Sequence, residues 1–503
     1  MKHKLLIPYF LMLLFALGAC TDLEEETFGK LSPENYYTTE EEALSSVVGI
    51  YYDLSFMVHV FDAYRCPELE TDEFFIPGRT NGGWFLQDWQ DCMTHSITPG
   101  NNRILVAWNQ VFQIIGTANA VLENLEASPN VENLAGLIAE TRALRAYGYF
   151  YAMDYWGNVP IVTTARIDAN DLPTTRPRAE VFDFVESELL AALQEMPSVK
   201  DVDQASYYPR FTKEAIYAAL ATMYLNAEVY TGTARWEDAI TMSDNIINTG
   251  TYALEAHVGD CFTVAKEGQT TEVISGFSVD PSVNANYNQF ILYTNHALDQ
   301  LKYGLPFAPA TGYSLGDVAL NRYEEFDTRR DLIEYGPQFY LNGDPLLKEN
   351  GEQLVLIPIQ DITAAEQNEG YHLLKYSPIG VGWSGFNADN DLVLIRYADI
   401  LLIKAEALFR TGKTADALPL VNQVRERSNA STLTTLTLDD IEDERARELI
   451  WEGHRKRDMI RFGSFFTDTW YPKETITPEW RKIWPIPDAQ IAANPNLQQN
   501  PNY

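Results

Sequence analysis

Between Cys66 and Asn102 the chain sets three large rings, Trp84, Phe85 and Trp89, among Arg79, Asn81, Asp88, Asn101 and Asn102. Gly78, Gly82, Gly83 and Gly100, with Pro77 and Pro99, punctuate the stretch, and no sustained period runs through it. Loops carry binding groups more often than scaffolds do. Flat rings can stack on flat apolar ligand surfaces, and guanidinium or amide groups bond hydroxyls. The alternative for each ring is a plug that seats the loop on the core. Trp383-Ser-Gly-Phe386-Asn387 offers the same mixture, and Tyr287, Tyr293, Tyr303 and Tyr313 lie in the long irregular stretch before it. The expected ligand-binding set is Trp84, Trp89, Phe85, Arg79, Asn81, Trp383 and Tyr287. Trp84 and Trp89 are the stacking platforms, Trp383 extends the surface from across the face, and Arg79 and Asn81 read hydroxyls.

Other chemistries lack their residues. A glycosidase needs two carboxylates about 5 Å apart, or about 6.5–9.5 Å for inversion. Glu68, Glu70, Asp72 and Glu73 cluster, but a chain with 71 acidic residues yields such clusters by chance. Gly412-Lys413-Thr414 resembles the end of a P-loop, yet Ala407 stands where the first glycine belongs. There is no His-Glu-x-x-His, and Gly382-Trp-Ser-Gly is not a nucleophile elbow. Asn387-Ala-Asp-Asn-Asp391 could hold calcium, but it lacks the glycine and distant Glu of an EF-hand loop and reads better as a solvated turn. No catalytic residue, metal ligand or cofactor is indicated. Of four cysteines, Cys66 and Cys92 could pair once Cys20 is set aside, leaving Cys261; no essential disulfide is expected.

Elements able to position such a site follow from periodicity. Leu401, Ala405 and Leu408, then Ala417, Val421 and Val424, fall at helical spacing on either side of Gly412. Ala227, Tyr230 and Ala239 repeat the spacing of Ala405, Leu408 and Ala417, which resembles the tetratricopeptide unit. Stacked helical hairpins are expected. Further helices are expected over Glu40–Leu54, Ile104–Glu126, Leu134–Tyr155, Val181–Met196 and, as one charged helix, Leu438–Phe462. In the last, Glu444, Glu448 and Glu452 stand four apart, within reach of Arg445 and Arg455. From Thr249 to Asp391 the helical period fades, with brief strands expected at Glu272–Phe277, Phe290–Tyr293 and Gln353–Ile359.

The chain has 503 residues and is 46% hydrophobic, so it is globular. A net charge of −34 repels phosphate backbones and argues against nucleic acid. Lys2 and Lys4 precede an apolar run, Leu5 to Ala16, too short to span a bilayer. Leu17-Gly-Ala-Cys20 follows and resembles a lipoprotein signal, cut before Cys20 with lipid attached to it. No other run is expected to cross a membrane.

The mature chain resembles the SusD/RagB family of Bacteroidetes surface lipoproteins. The likeness rests on Glu140-Thr-Arg-Ala-Leu-Arg-Ala-Tyr, Gly157-Asn-Val-Pro-Ile-Val, Leu394-Ile-Arg-Tyr-Ala-Asp-Ile-Leu-Leu-Ile-Lys-Ala-Glu-Ala, Glu452-Gly-His-Arg455 and the tail, Trp484-Pro-Ile-Pro through Asn500-Pro-Asn-Tyr503. Where the family ends Asn-Pro-Gly-Tyr, Asn502 can keep the turn. The resemblance implies an all-α fold of tetratricopeptide-like hairpins with a loop-rich ligand face. Its expected layout is a signal peptide at 1–19 and a SusD-like domain at 20–503. Within that domain lie an N-terminal part (20–210), a hairpin scaffold (211–250 and 394–465) and an insertion (251–393). It implies a lipid-anchored, non-enzymatic protein of the outer-membrane surface. Such a protein captures oligosaccharide, or alternatively peptide, for a SusC-type TonB-dependent transporter. A glycoside hydrolase and an adhesion protein are the competing classes.

Overall fold

The computed structural model describes residues 36–503 except 60, 81–85, 129–130, 133, 265–267 and 280–287. The leader, Cys20, Asn81, Trp84, Phe85 and Tyr287 lie outside the described residues.

The N-terminal part is helical. Helix α1 (Glu40–Leu54) starts where the Thr39 hydroxyl accepts from Glu42 N, and three glutamates occupy its first turn. The second half of helix α2 (Asp62–Leu69) and helix α3 (Gln87–Met93) lie where a loop is expected, between Cys66 and Asn102. Helix α4 (Asn102–Glu126) is capped by Asn101 Oδ1, which accepts from Arg103 N and Ile104 N. It packs on α1, α2 and α5 (Leu134–Trp156), meeting α5 closely at Gly148, where a Cβ would lie 3.1 Å from Ile114 and Ile115. By length and composition α4 could span a membrane, contrary to expectation, but half of its apolar window is buried in this core. Helix α6 (Arg178–Ala192) starts three residues earlier than expected and covers α5.

The hairpins follow. Helix α7 (Lys213–Leu225) continues through one turn, Ala227–Thr231, to α8 (Trp236–Ile247). Helices α10 (Tyr397–Arg410) and α11 (Thr414–Arg427) are separated by Gly412 at φ +80. Ala227, Ala239, Ala405 and Ala417 have no exposed surface, and α8 packs on both α7 and α10, so the hairpins stack. In the insertion, strand β1 (Val273–Phe277) pairs antiparallel with β4 (Leu392–Arg396). The run expected as a strand at Phe290–Tyr293 is instead helix α9 (Phe290–Thr294). Gln353–Ile359 contributes only the short strand Val355–Leu356. Cys66, Cys92 and Cys261 are buried free thiols.

The late charged helix divides into α12 (Leu438–Glu448) and α13 (Arg455–Phe462), with Trp451 and Gly453 at φ +56 and +78 between them. Long-range contacts override the helical pattern here. Trp451 N donates to Glu73 Oε1 and its Nε1 to Glu73 O, seating the ring 4.9 Å from Phe74. The glutamates also choose distant partners over Arg445 and Arg455. Arg396 binds Glu272, Glu448 and Glu452; Arg427 binds Glu272 and Glu448; Arg329 binds Asp327, Glu444 and Glu448; Lys375 binds Glu452. Arg445 pairs with Asp399 and Asp458, and Arg455 with Asp72 and Glu442. Burial alone would raise the Glu452 carboxyl, but Arg396 and Lys375 outweigh it and hold it down to about 2. This knot fastens the insertion to the second hairpin. In the tail, Asn502 adopts φ +73, the turn foreseen for it.

Candidate functional site: an aromatic hairpin on the loop face

Among the described residues, the ring-bearing surface centres on a two-residue hairpin. Strands β2 (Trp383–Ser384) and β3 (Asn387–Ala388) pair across Gly385-Phe386. Gly385 sits at φ +63, as the first central residue of a tight hairpin turn requires. Asp389 Oδ1 accepts from Gly382 N at 2.8 Å and closes the base; a Cβ on Gly382 would lie 2.3 Å from that carboxylate. Ala388 N donates to Asn288 O, and the Asn288 side chain donates to Asn390 O, so the hairpin is pinned to the core below.

Two rings project from this base, and a third from segment 305–311 packs against them. Phe307 stands between Trp383 (centroids 5.1 Å, 85°) and Phe386 (5.3 Å, 75°). Phe307 is buried, Trp383 half-buried, and Phe386 is 56% exposed. Exposing most of a Phe ring costs hydrophobic free energy, so an open ring held by a rigid turn marks a contact surface more than a packing element. Gln289 Nε2 donates to Asn387 Oδ1 at 2.8 Å, setting two half-buried amides beside the rings. Gln289 N donates to His59 Nε2 at 3.1 Å, and burial, with Arg65 nearby, holds that imidazole neutral, down to about 3.

The expected site residues separate. Trp383 lies in this surface beside Phe386. Trp89 does not: it sits on α3, is 5% exposed, donates from Nε1 to Asp62 Oδ1 and has Arg65 over its ring at 4.8 Å. Its role as a stacking platform is therefore replaced by packing. Arg79 is also turned inward. It donates to Thr311 O, Glu366 O, Glu369 O and Ser314 Oγ, so it clamps loops and leaves hydroxyl reading to other groups. Burial lowers its guanidinium to about 10, with Glu369 opposing. Arg79 and Trp383 nevertheless grip one segment, 305–314, Arg79 through Thr311 and Trp383 through Phe307. Tyr313 is buried, stacking on half-buried Tyr293 at 5.5 Å, and Tyr303 is half-buried near Glu334. Phe307 and Gln289 were not expected. The hint for Phe307 was a ring between Pro306 and Pro309, where no regular face can use it.

The acidic cluster is structural. Asp72 binds Arg322 and Arg455, Glu70 binds Lys456 and Trp484 Nε1, and Glu73 accepts from Trp451 N. All four carboxyls are buried. Burial pushes Glu73 up to about 7 in spite of Arg455 beside it. A cavity of about 440 Å³ lies elsewhere, around 161–176, and its walls carry no aromatic ring. A neighbouring cleft of about 290 Å³ has Trp108 and Phe112 in its wall, but their faces stack on each other at 4.2 Å.

Stacked helical hairpins beneath an irregular, ring-bearing insertion define a helical-repeat binding protein. Residues 310–503 match the SusD family, and residues 33–225 match a family described as "Starch-binding associating with outer membrane". The chain belongs to the SusD/RagB family. It is 27% identical to SusD-like protein P38 of Formosa agariphila over the whole of both chains. It is 24% identical to the starch-binding protein SusD of Bacteroides thetaiotaomicron, covering 88% of this chain and 85% of that one. Surface glycan-binding protein A of Bacteroides thetaiotaomicron, solved with laminarihexaose, has the same fold (TM-score 0.75, 23% identity, 93% of this chain and 100% of that one).

Proposed function

We propose that this protein captures oligosaccharide at the cell surface and passes it, without cleaving it, to a SusC-type TonB-dependent transporter in the outer membrane. One observation carries the reading: a rigid hairpin that holds Phe386 open to solvent and Trp383 half-open, with paired amides beside them. A pyranose presents flat C–H faces and a hydroxyl rim, and this surface offers a partner for each. The names of the relatives, which are starch- and glycan-binding, support the same ligand class. The acidic cluster supports binding without hydrolysis, since its carboxylates are buried and Asp72 and Glu70 are held in ion pairs. The organisation at 1–19 and 20–503 supports delivery, with lipid on Cys20 holding the chain at the outer membrane. The insertion at 251–393 supplies the ligand face, and the hairpins at 211–250 and 394–465 supply the scaffold.

Calorimetric titration tests the site. Trp383→Ala and Phe386→Ala are expected to weaken binding of the cognate oligosaccharide about tenfold or more each, the range seen for rings stacked on other flat ligands. Unchanged affinity in both variants sinks this reading of the face. The anchor has its own test, by fractionation: Cys20→Ala leaves the chain out of the outer-membrane fraction in cells lacking the transporter.

A further inference from the structure

We infer that this face selects uncharged oligosaccharides and rejects sulfated or uronate-bearing glycans and acidic peptides; the inference rests on the glycan-binding reading above. Tight recognition of an anionic group uses charge-assisted bonds from Arg or Lys, or a ready cation nearby. Every described cation beside the face is turned inward. Arg79 spends its donors on three carbonyls and the Ser314 hydroxyl. Lys302 is bound to Glu334, and Arg65 lies against Asp62 and the Trp89 and Tyr313 rings. His59 uses Nε2 as an acceptor from Gln289 N, so that nitrogen carries no proton to offer.

The segments that build the surface contain no Lys or Arg at all: 288–294, 305–311 and 379–391 read Asn-Gln-Phe-Ile-Leu-Tyr-Thr, Leu-Pro-Phe-Ala-Pro-Ala-Thr and Ile-Gly-Val-Gly-Trp-Ser-Gly-Phe-Asn-Ala-Asp-Asn-Asp. Their charges are Asp389 and Asp391, which accept from Gly382 N and Val279 N behind the rings. In sequence, the stretch 280–287 that runs into 288–294 adds Asp280 and no cation. An anion arriving here meets rings, neutral amides, two nearby carboxylates and the field of a chain carrying −34. It would give up its hydration for no compensating positive charge. A neutral sugar gives up less and gains stacking plus amide bonds. Affinity for it depends little on salt, because no ion pair forms.

The experiment uses the mature chain with neutral hexasaccharides of β-1,3-glucan, α-1,4-glucan and β-1,4-galactan, against oligogalacturonate and sulfated heparin-type hexasaccharides of matched length. Each is titrated against wild type, Phe386→Ala and Trp383→Ala at low and high salt. The expected result is binding of at least one neutral probe, weakened about tenfold by Phe386→Ala and changed less than about twofold by salt. The anionic probes bind at least about a hundredfold more weakly, as expected where no cation meets the charge. An anionic probe that binds more tightly than the neutral ones, loses affinity in Phe386→Ala and weakens steeply with salt overturns the selectivity while leaving glycan binding at this face standing. Absence of binding by every probe, or binding indifferent to both Phe386→Ala and Trp383→Ala, overturns the reading of the face itself.

Discussion

The knot around Arg396 and the hairpin around Phe386 are near neighbours in sequence and follow opposite rules. In the knot the side chains are charged and buried, and Arg396 draws its partners from far along the chain: Glu272 from the insertion, Glu448 from α12, Glu452 from the turn before α13. Beside the rings of the hairpin the polar groups are two half-buried neutral amides, Gln289 and Asn387, and the Phe386 ring faces water. A buried charge tolerates one partner at one place, so its position is fixed to the residue. An exposed ring that stacks on a ligand can be supplied by any aromatic residue on any suitable turn. The first kind of region therefore leaves a motif, and the second does not.

Arg396→Met attacks the knot and carries the largest expected effect. It strands Glu272, Glu448 and Glu452 without their shared guanidinium. Removing one partner from buried pairs costs about 3–5 kcal/mol, because the orphaned charges remain. Urea unfolding of the variant is expected to show a loss of that order, with soluble yield falling. A second change, Glu452→Gln, should return part of the loss, because Glu452 keeps only Lys375 as a partner once Arg396 is gone. A melting curve like wild type would mean that the network contributes nothing.

Trp89→Ala asks on which side of the comparison this ring belongs. Its burial, its bond to Asp62 and the guanidinium of Arg65 over it place it with the scaffold. Truncating a core Trp costs about 3–5 kcal/mol. The expected result is that loss in denaturant unfolding, with ligand affinity of the folded fraction unchanged. A large affinity loss at constant stability would return Trp89 to the binding surface.

Acid provides a graded version of the first test. The Glu452 carboxyl is held down to about 2, and Glu448 is also depressed, both against an ordinary value of 4.5. Folding therefore gains from these groups above pH 4.5, and the gain is lost as pH falls from there through the folded value. Glu73 runs the other way. Raised to about 7, it favours folding fully below pH 4.5 and gives that contribution up as pH rises through 7. Thermal melts should drop steeply below pH 4.5, and Glu73→Gln should flatten the decline between pH 5 and 8. A wild-type profile that is flat from pH 5 to 2 would mean that the knot is solvated in solution.

The hairpins were legible because Ala405 and Ala417 mark a close helix approach on a strong 3.6-residue period, and Asn502 because few residues accept its backbone conformation. The breaks were not. The spacing of Glu444, Glu448 and Glu452 reads as one helix face, and only partners hundreds of residues away, Glu73 for Trp451 and Glu272 through Arg396, bend the chain between α12 and α13. Trp89 was misplaced because α3 is a seven-residue helix, too short to show a period among its glycines and prolines. Phe290–Tyr293 failed similarly, since a short apolar run fits strand and helix equally. Trp383 and Phe386 could be picked out as rings without a scaffold duty. Phe307, which stands between them, had only its flanking prolines as a hint, because its placement depends on a loop held by Arg79 and α9.

Phe386→Ala is the smallest perturbation of the fold and the sharpest probe of the other region. Among the described residues the ring meets Phe307, and Phe386 is 56% exposed, so the folded state loses little buried surface when the ring is cut away. The turn itself depends on Gly385, and the pinning of the hairpin on Asp389 and Asn288, none of which is altered. Exposed substitutions away from caps and special backbone positions stay within about 0.5 kcal/mol. The expected outcome is an unfolding midpoint matching wild type, alongside the loss of ligand affinity described above. If stability instead falls by about 2 kcal/mol or more, a value on the order of a core truncation, the ring is a packing element. The hairpin would then belong with the knot as scaffold, and the contrast between the two regions would disappear.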